Sequence, residues 1–317
     1  MSTTAARPAP APPAPAASTR PRRTGPRFTP YVLLVPVVGI LLVGLGYPLY
    51  WQVVTSLQEF GLAQQFGQPP TFVGLDNYAR IFSDDRLWAV VVRSIAFCLV
   101  NAFVTVGIGV LLALLMKAVH PVVRVVLQVS LLLAWAMPLV AAVTVWKWLF
   151  DWRTGVVNWL LVQLGFDSYA GHAWLAQPLS FFFVATLIIV WMSVPFVALS
   201  VYAALTQVSD EVLEAARIDG AGPSRILWHI TLPLVRPVLS IVLLLQIIWD
   251  LRVFAQIRLL QDGGAPVSET NLLGNFIFEL GIGRQDFAGA AAVSIMVLAL
   301  TVLLSWPYVQ NLLKEDR

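Results

Sequence analysis

Charged side chains are scarce in this 317-residue chain, where Asp, Glu, Lys and Arg make up 12% of residues and apolar side chains 58%. Soluble domains carry about 25% charged residues, so much of this surface needs lipid rather than water as its solvent. The single cysteine excludes an intrachain disulfide. The three histidines (His120, His172 and His229) lack the spacing of metal ligands, so neither a metal nor a cofactor is predicted.

The sequence also lacks the phosphate-binding loop Gly-x-x-x-x-Gly-Lys-(Ser/Thr), because no glycine is followed by lysine. A chain without that loop cannot hold ATP phosphates by this device. Clustered His, Asp or Cys residues, which a membrane-embedded enzyme would need, are not visible either. The sequence therefore predicts a protein that is not an enzyme, and any ATP hydrolysis is expected on a separate subunit.

The first 29 residues are rich in Pro, Ala and Arg and have almost no large apolar side chains. Such a segment cannot bury enough surface to offset its ordering entropy, which predicts a disordered cytoplasmic tail. Its arginines precede an apolar run, as in a signal peptide. The run is too long, however, and no small-residue cleavage site follows it, so an uncleaved first span is expected. The predicted domains are the tail, 1–29, and a membrane domain, 30–317.

Six apolar stretches are long enough for a hydrocarbon core of about 30 Å, which needs about 20 helical residues. They cover residues 31–53, 89–116, 122–149, 179–205, 234–260 and 287–309. Lys and Arg are in modest excess on the side of the N-terminal tail, and the positive-inside rule makes that side cytoplasmic. The prediction is an all-α, multi-pass protein of a bacterial cell membrane with both termini cytoplasmic.

The most informative loop joins the fourth and fifth spans, at about residues 206–233. Ser209 is a good N-cap, and Gly220 can end the helix that follows. Gly222-Pro223 would then start a second short helix, with Pro233 marking re-entry into the membrane. An interfacial helix that merely connects two spans is the plainer interpretation of this pattern.

This loop resembles the signature of ABC-importer permeases, which has Glu-Ala-Ala, then Gly, then Ile-x-Leu-Pro at fixed intervals. The matching residues are Glu214-Ala215-Ala216, Gly220, Ile230 and Leu232-Pro233. Two further pieces, residues 72–78 and 260–266, resemble sugar permeases similar to the maltose-system F and glycerol-3-phosphate-system A subunits. The second piece departs from their pattern, with Gln261 in place of Thr and Ala265 before the proline.

The resemblance implies a type I importer fold of six transmembrane helices with a cytoplasmic coupling helix. It implies a heterodimer with a second permease, two copies of an ATPase, an extracytoplasmic solute-binding protein and a sugar substrate, in the form of a di- or short oligosaccharide. The surrounding lipid bilayer is the remaining partner, and no nucleic acid is expected. The residues that it assigns to ATPase coupling are Glu214, Ala215, Ala216, Asp219 and Gly220.

A sugar site is predicted on the fifth span. Four residues share one helical stripe, at i, i+3, i+4 and i+7: Gln246, Trp249, Asp250 and Val253. An indole ring beside amide and carboxylate groups suits a sugar, because the ring packs on C–H faces while the polar groups bind hydroxyls.

The resemblance to maltose-type permeases aligns Gln246, Asp250 and Val253 with sugar contacts, and places Ser193 and Phe196 of the fourth span at matching positions. The alternative is that Asp250 forms only an interfacial ion pair with Arg252, and that Trp249 is a membrane anchor.

An ion-gradient-driven secondary transporter is the alternative function. It would favour acidic residues near the midplane and repeated halves. No clear inverted repeat is visible, so the importer hypothesis is preferred.

Overall fold

Long apolar helices dominate residues 29–315, the part of the chain that the computed structural model describes. Within this part, the helices long and apolar enough to cross a membrane are Tyr31–Ser56, Asp85–Ala118, Pro178–Leu205, Pro223–Leu251 and Phe287–Trp306. A bent pair, Pro121–Trp135 with Leu139–Leu149, makes six if it is taken as one span. The predicted all-α membrane class is confirmed. The predicted tail lies outside the described residues except for Thr29.

The elements are numbered in chain order. The N-terminal half contains α1 (Thr29–Leu41), α2 (Tyr47–Ser56), β1 (Gln58–Glu59), α3 (Leu62–Gln65), β2 (Thr71–Phe72), α4 (Asp76–Phe82), α5 (Asp85–Ala118), α6 (Pro121–Trp135), α7 (Leu139–Leu149) and α8 (Val156–Gln163). The C-terminal half contains α9 (Pro178–Leu205), α10 (Asp210–Ile218), α11 (Pro223–Ile226), α12 (Leu232–Leu251), α13 (Ala255–Gln261), α14 (Val267–Thr270), α15 (Leu273–Phe278) and α16 (Phe287–Glu315). The chain divides between Tyr50 and Trp51 into two compact units, the first of which contains α1.

The third span predicted at 122–149 is a bent pair of helices rather than one straight helix. The helix stops at Trp135, and α7 leaves it at an angle of 98°. Pro138 explains the break, because it has no N–H to donate and disfavours helical backbone at the preceding Met137. The two halves therefore point in different directions, and an irregular segment lies between them.

The predicted limits of the fifth span, 234–260, are also wrong. One apolar helix runs from Pro223 to Leu251 and contains α11, α12 and the π-helical turn Leu227–Thr231. In that turn the Leu232 N–H donates to the Leu227 carbonyl, and the helix continues past Pro233, the residue predicted to mark re-entry into the membrane. At the other end the helix stops at Leu251, and α13 begins only at Ala255.

The second unit is built around α5 and α9, which form the most extensive helix–helix contact of the described chain. Small residues allow their backbones to approach, as is usual between membrane helices. Gly109 of α5 lies so close to α9 that a Cβ there would stand 2.7 Å from the Cβ of Val197. Helix α12 packs on both, and the Cys98 thiol lies 3.3 Å from the Ile247 carbonyl.

The loop between α2 and α5 is held by side chains of the segment that resembles sugar permeases. Strands β1 and β2 pair antiparallel, with Gln58 opposite Phe72. The buried Asn77 amide donates to the carbonyls of Ser56 and Gln58, at 3.0 and 2.8 Å. The Tyr78 hydroxyl lies 2.8 Å from the Ser56 hydroxyl. These contacts fasten the loop to the end of α2 and give residues 72–78 a structural role.

The same loop is tied to the start of the last helix. Arg80 donates through both terminal nitrogens to Asp286, at 2.8 and 3.1 Å. Burial raises the pKa of the Asp286 carboxyl. The hydrogen bonds from Arg80 and from the Gly289 N–H, together with the nearby positive charges, lower it by more than burial raises it, so the pKa lies below the usual range. Asp286 stays ionised there and caps α16.

Gly109→Ala should destabilise the chain, because the new methyl group would overlap Val197 across the α5–α9 interface. Overpacking of this kind costs about 1–3 kcal/mol, so a lower melting temperature in detergent is expected. The matched control is Gly107→Ala on the same helix, where nothing lies within 4 Å of the added Cβ. Equal melting temperatures for the two variants would contradict the close packing of α5 on α9.

Candidate functional site

The loop with the permease signature folds as a short capped helix, α10. The Ser209 hydroxyl accepts from the Glu211 N–H at 3.2 Å, as its N-cap position predicts. At the other end Gly220 takes the left-handed conformation, with φ +79°. The Ala221 N–H then donates to the Ala216 carbonyl at 2.9 Å, and the Gly220 N–H to the Arg217 carbonyl at 3.0 Å, which is a Schellman ending.

The residues predicted to couple to an ATPase divide between two faces of α10. Glu214, Ala215, Asp219 and Gly220 are exposed, whereas Ala216 is buried within this chain, as is Leu213. Ala216 therefore helps to seat the helix, and Ala215 is the alanine that a partner protein could approach. The exposed face also contains Ile218, a large apolar side chain that is 86% exposed.

Two basic side chains bind backbone carbonyls at the C-terminal ends of α5 and α9, the second of which leads into this loop. The Lys117 ammonium, in the last turn of α5, donates to the Leu205 carbonyl at the end of α9, at 3.2 Å. Arg124 of α6 donates to the carbonyls of Met116 and Val119, at 2.7 and 3.2 Å. Positive groups at helix C-termini are favourable, because the carbonyls there lack partners within the helix.

Most of the residues predicted to contact a sugar meet at one cavity of about 230 Å³. We call it the sugar-site cavity after that prediction, and its lining is formed by Trp135, Ile189, Met192, Ser193, Trp249, Asp250, Val253 and Gln256. Phe196 stands beside it, with its ring 5.2 Å from that of Trp249 and 6.3 Å from that of Trp135. The residues predicted on the fourth and fifth spans thus lie around one cavity, and Trp135 at the end of α6 also lines it.

The prediction that Val253 lies on the same helical stripe as Gln246 and Asp250 is wrong, because α12 ends at Leu251 and Val253 lies in the irregular segment after it. Val253 still lines the cavity, since the chain turns there towards α13. Four lining residues were missed from the sequence: Trp135, Ile189, Met192 and Gln256. Trp135 lies in the middle of a predicted span, and only the proline three residues later could have indicated that the helix ends there.

Gln246 and Asp250 form a buried polar pair on α12. The Gln246 amide donates to one carboxylate oxygen of Asp250 at 2.9 Å, and the two side chains belong to residues only 1% and 2% exposed. The Gln246 carbonyl oxygen and the other Asp250 oxygen have no hydrogen-bond partner. Within residues 29–315, the ion pairs are Arg80–Asp286, Arg258–Asp262 and Arg284–Glu279. The alternative pairing of Asp250 with Arg252 is therefore not formed.

A larger cavity of about 990 Å³ lies between α5 and α9, below residues 168–177. Its lining is mostly apolar and aromatic, including Phe97, Phe182 and Phe183, with Arg93 at one end. None of the residues predicted to bind a sugar lines it.

Comparison with known proteins identifies the family of this chain and finds solved structures with a similar fold. The family model described as the binding-protein-dependent transport system inner membrane component matches residues 105–310. The diacetylchitobiose uptake system permease protein DasB of Streptomyces coelicolor is 40% identical over 287 residues, which is 90% of this chain and 87% of DasB. The sulfoquinovosyl glycerol transport system permease protein SmoG of Agrobacterium fabrum is 30% identical, over 92% of each chain.

Among solved structures, a bacterial alginate ABC transporter in complex with an alginate pentasaccharide-bound periplasmic protein has a similar fold. Its matching chain has a TM-score of 0.75 at 21% identity, with coverage of 87% of this chain and 91% of that one. The chain thus belongs to the family of binding-protein-dependent transport system inner membrane components, and it is a transport permease rather than an enzyme.

Proposed function

We propose that this chain forms half of the translocation pathway for a di- or short oligosaccharide in an ATP-driven importer. A second permease completes the pathway as a heterodimer, two copies of an ATPase bind on the cytoplasmic side, and a solute-binding protein delivers the sugar from outside. Both termini then lie in the cytoplasm. Relatives named for carbohydrate uptake support this function, as does the binding-protein-dependent family.

The observation that carries the proposal is the meeting of aromatic and polar side chains at the sugar-site cavity. Trp249 is 43% exposed and flanks Asp250, which has an unpaired carboxylate oxygen. A ring face and a hydrogen-bonding group side by side are what a sugar needs for its C–H face and its hydroxyls. The cavity of about 230 Å³ is smaller than a typical small-molecule site, about 300–1,000 Å³. A half-site completed by the second permease would have this size.

Helix α10 supports coupling to a separate ATPase. Its exposed face combines the Glu214 carboxylate with the short side chain of Ala215, which allows another protein to approach the helix closely. The buried Leu213 and Ala216 seat the helix on its own chain, so the face that a partner protein could approach is the one with Glu214 and Ala215. The ion-gradient alternative has no comparable support, since the family model is that of binding-protein-dependent transport.

Trp249→Ala should reduce ATP-dependent uptake of a labelled disaccharide about 2- to 13-fold, which corresponds to the loss of an aromatic contact of about 0.5–1.5 kcal/mol. Uptake is measured in vesicles that contain this chain, its second permease and the ATPase, with saturating binding protein. Trp148→Ala is the control, because Trp148 is similarly exposed, at 54%, and does not line the cavity. Uptake by this chain alone without ATP would overturn the importer function.

Glu214→Ala should lower both uptake and the ATPase activity stimulated by the binding protein at least tenfold. Losing one partner of a charged interface contact costs about 2–5 kcal/mol. Glu211→Ala, an exposed glutamate in the first turn of the same helix, should remain within about twofold of wild type. If the two variants behaved alike, the coupling role of Glu214 would be rejected.

Gly220→Ala should loosen the end of α10, because a left-handed conformation costs a residue with a Cβ about 1–2 kcal/mol. Hydrogen–deuterium exchange of residues 210–221 should accelerate about 5- to 30-fold, the ratio that corresponds to this cost. Gly222→Ala is the matched control, since Gly222 has φ −70° and open space around it. Unchanged exchange in the Gly220 variant would show that the Schellman ending is not needed.

A further inference from the structure

The relatives of this chain do not share one solute charge. DasB is named for diacetylchitobiose, which has no ionisable group, and SmoG for sulfoquinovosyl glycerol, which carries a sulfonate. Both lie within the same family and both align over most of this chain. The side chains at the sugar-site cavity, in contrast, differ in how they would receive an uncharged and a negatively charged solute.

The lining of the cavity contains one carboxylate, Asp250, and no lysine, arginine or histidine. The remaining polar side chains are Ser193 and Gln256, which are neutral. An anion that leaves water for such a site loses its hydration without gaining a positive partner, and that loss is costly in a membrane interior. Transport proteins that bind phosphate, sulfonate or carboxylate groups commonly offer Arg or Lys to them.

The basic residues nearest in sequence to the lining are engaged or lie outside it. The Lys147 ammonium donates to the Leu259 carbonyl at 2.9 Å and so caps the end of α13. Arg258 pairs with Asp262 at 3.7 Å. Arg252 is exposed and is not part of the lining. The half-site built by this chain therefore presents no positive group.

Asp250 also favours a particular kind of ligand atom. One of its oxygens accepts from Gln246, and the other is buried without a partner. A buried acceptor without a donor is unfavourable, and a ligand that supplies an O–H or N–H removes this cost. Sugar hydroxyls and acetamido groups carry such donors. Ionised carboxylate, sulfonate and phosphate groups offer only acceptor oxygens, which would face another acceptor.

We propose that the half-site formed by this chain selects uncharged carbohydrates that donate a hydrogen bond to Asp250, and discriminates against acidic ones. This inference rests on the proposed function, because it assigns a solute class to the same sugar-site cavity. Asp250 acts in it as a specificity-determining residue, and the absence of positive side chains from the lining supplies the rest of the discrimination.

The test compares a neutral disaccharide with the same disaccharide in which one CH₂OH group is oxidised to a carboxylate. Both are labelled and supplied at concentrations that saturate the purified solute-binding protein, so that the permeases rather than the binding protein decide the outcome. ATP-dependent uptake is measured in vesicles with the complete complex. The wild type should transport the neutral sugar at least tenfold faster than the acidic one.

Two variants should reduce this preference about tenfold by different routes. Asp250→Asn removes the negative group, and Gln256→Lys adds a positive group at a partly buried lining position, so the second remains informative if the first folds poorly. Asp262→Asn is the charge-matched control, since Asp262 is exposed and lies outside the lining. It should leave the neutral-to-acidic ratio unchanged.

Uptake of the acidic sugar within twofold of the neutral one in the wild type would overturn the inference and leave the proposed function intact. An unchanged ratio in both lining variants would overturn it as well. If neither sugar showed ATP-dependent uptake, the proposed function would be overturned, and the inference with it.

Discussion

A membrane leaves an unpaired backbone N–H or carbonyl without water to bond to, and the rest of this structure follows from that constraint. The long apolar helices satisfy their backbone groups internally. Where a helix must pass a proline, as at Pro233, a π-helical turn provides an alternative backbone pairing. The two interruptions, after Trp135 and after Leu251, both border the sugar-site cavity. Irregular backbone within a membrane protein is tolerated where it lines a cavity, which is consistent with the position of both breaks.

The positions of the membrane helices could be predicted because a run of about 20 apolar residues has few other stable outcomes. Their interruptions could not. Residues 136–138 are Ala, Met and Pro and carry no charge, so the apolar stretch looks continuous and only Pro138 indicates the bend. The break after Leu251 has neither proline nor glycine to indicate it, and α13 beyond the break packs against α7 and α9, which are distant in sequence.

The candidate site could be predicted in part for the same reason. Polar and aromatic residues in an apolar span stand out, so Trp249, Asp250 and Ser193 were identified from the sequence. The helical spacing used to include Val253 was wrong, because α12 ends at Leu251, although Val253 does line the cavity. Trp135 could not be assigned, because nothing in the sequence brings the end of α6 to the end of α12. The ends of α10 followed from Ser209 and Gly220 alone, since capping is decided by neighbouring residues.

The unbroken helix from Pro223 to Leu251 connects the loop that carries Gly220 to the cavity that contains Asp250. At 1.5 Å per residue, its 29 residues measure about 43 Å. A rod of that length is a lever: a tilt of about 10° around one end moves the other by about 7 Å, more than the rise of a full helical turn. A modest rotation at the Pro223 end would thus be enough to displace Trp249 and Asp250 by more than the length of a hydrogen bond. The shape of this cavity therefore depends on the position of the loop that precedes Pro223.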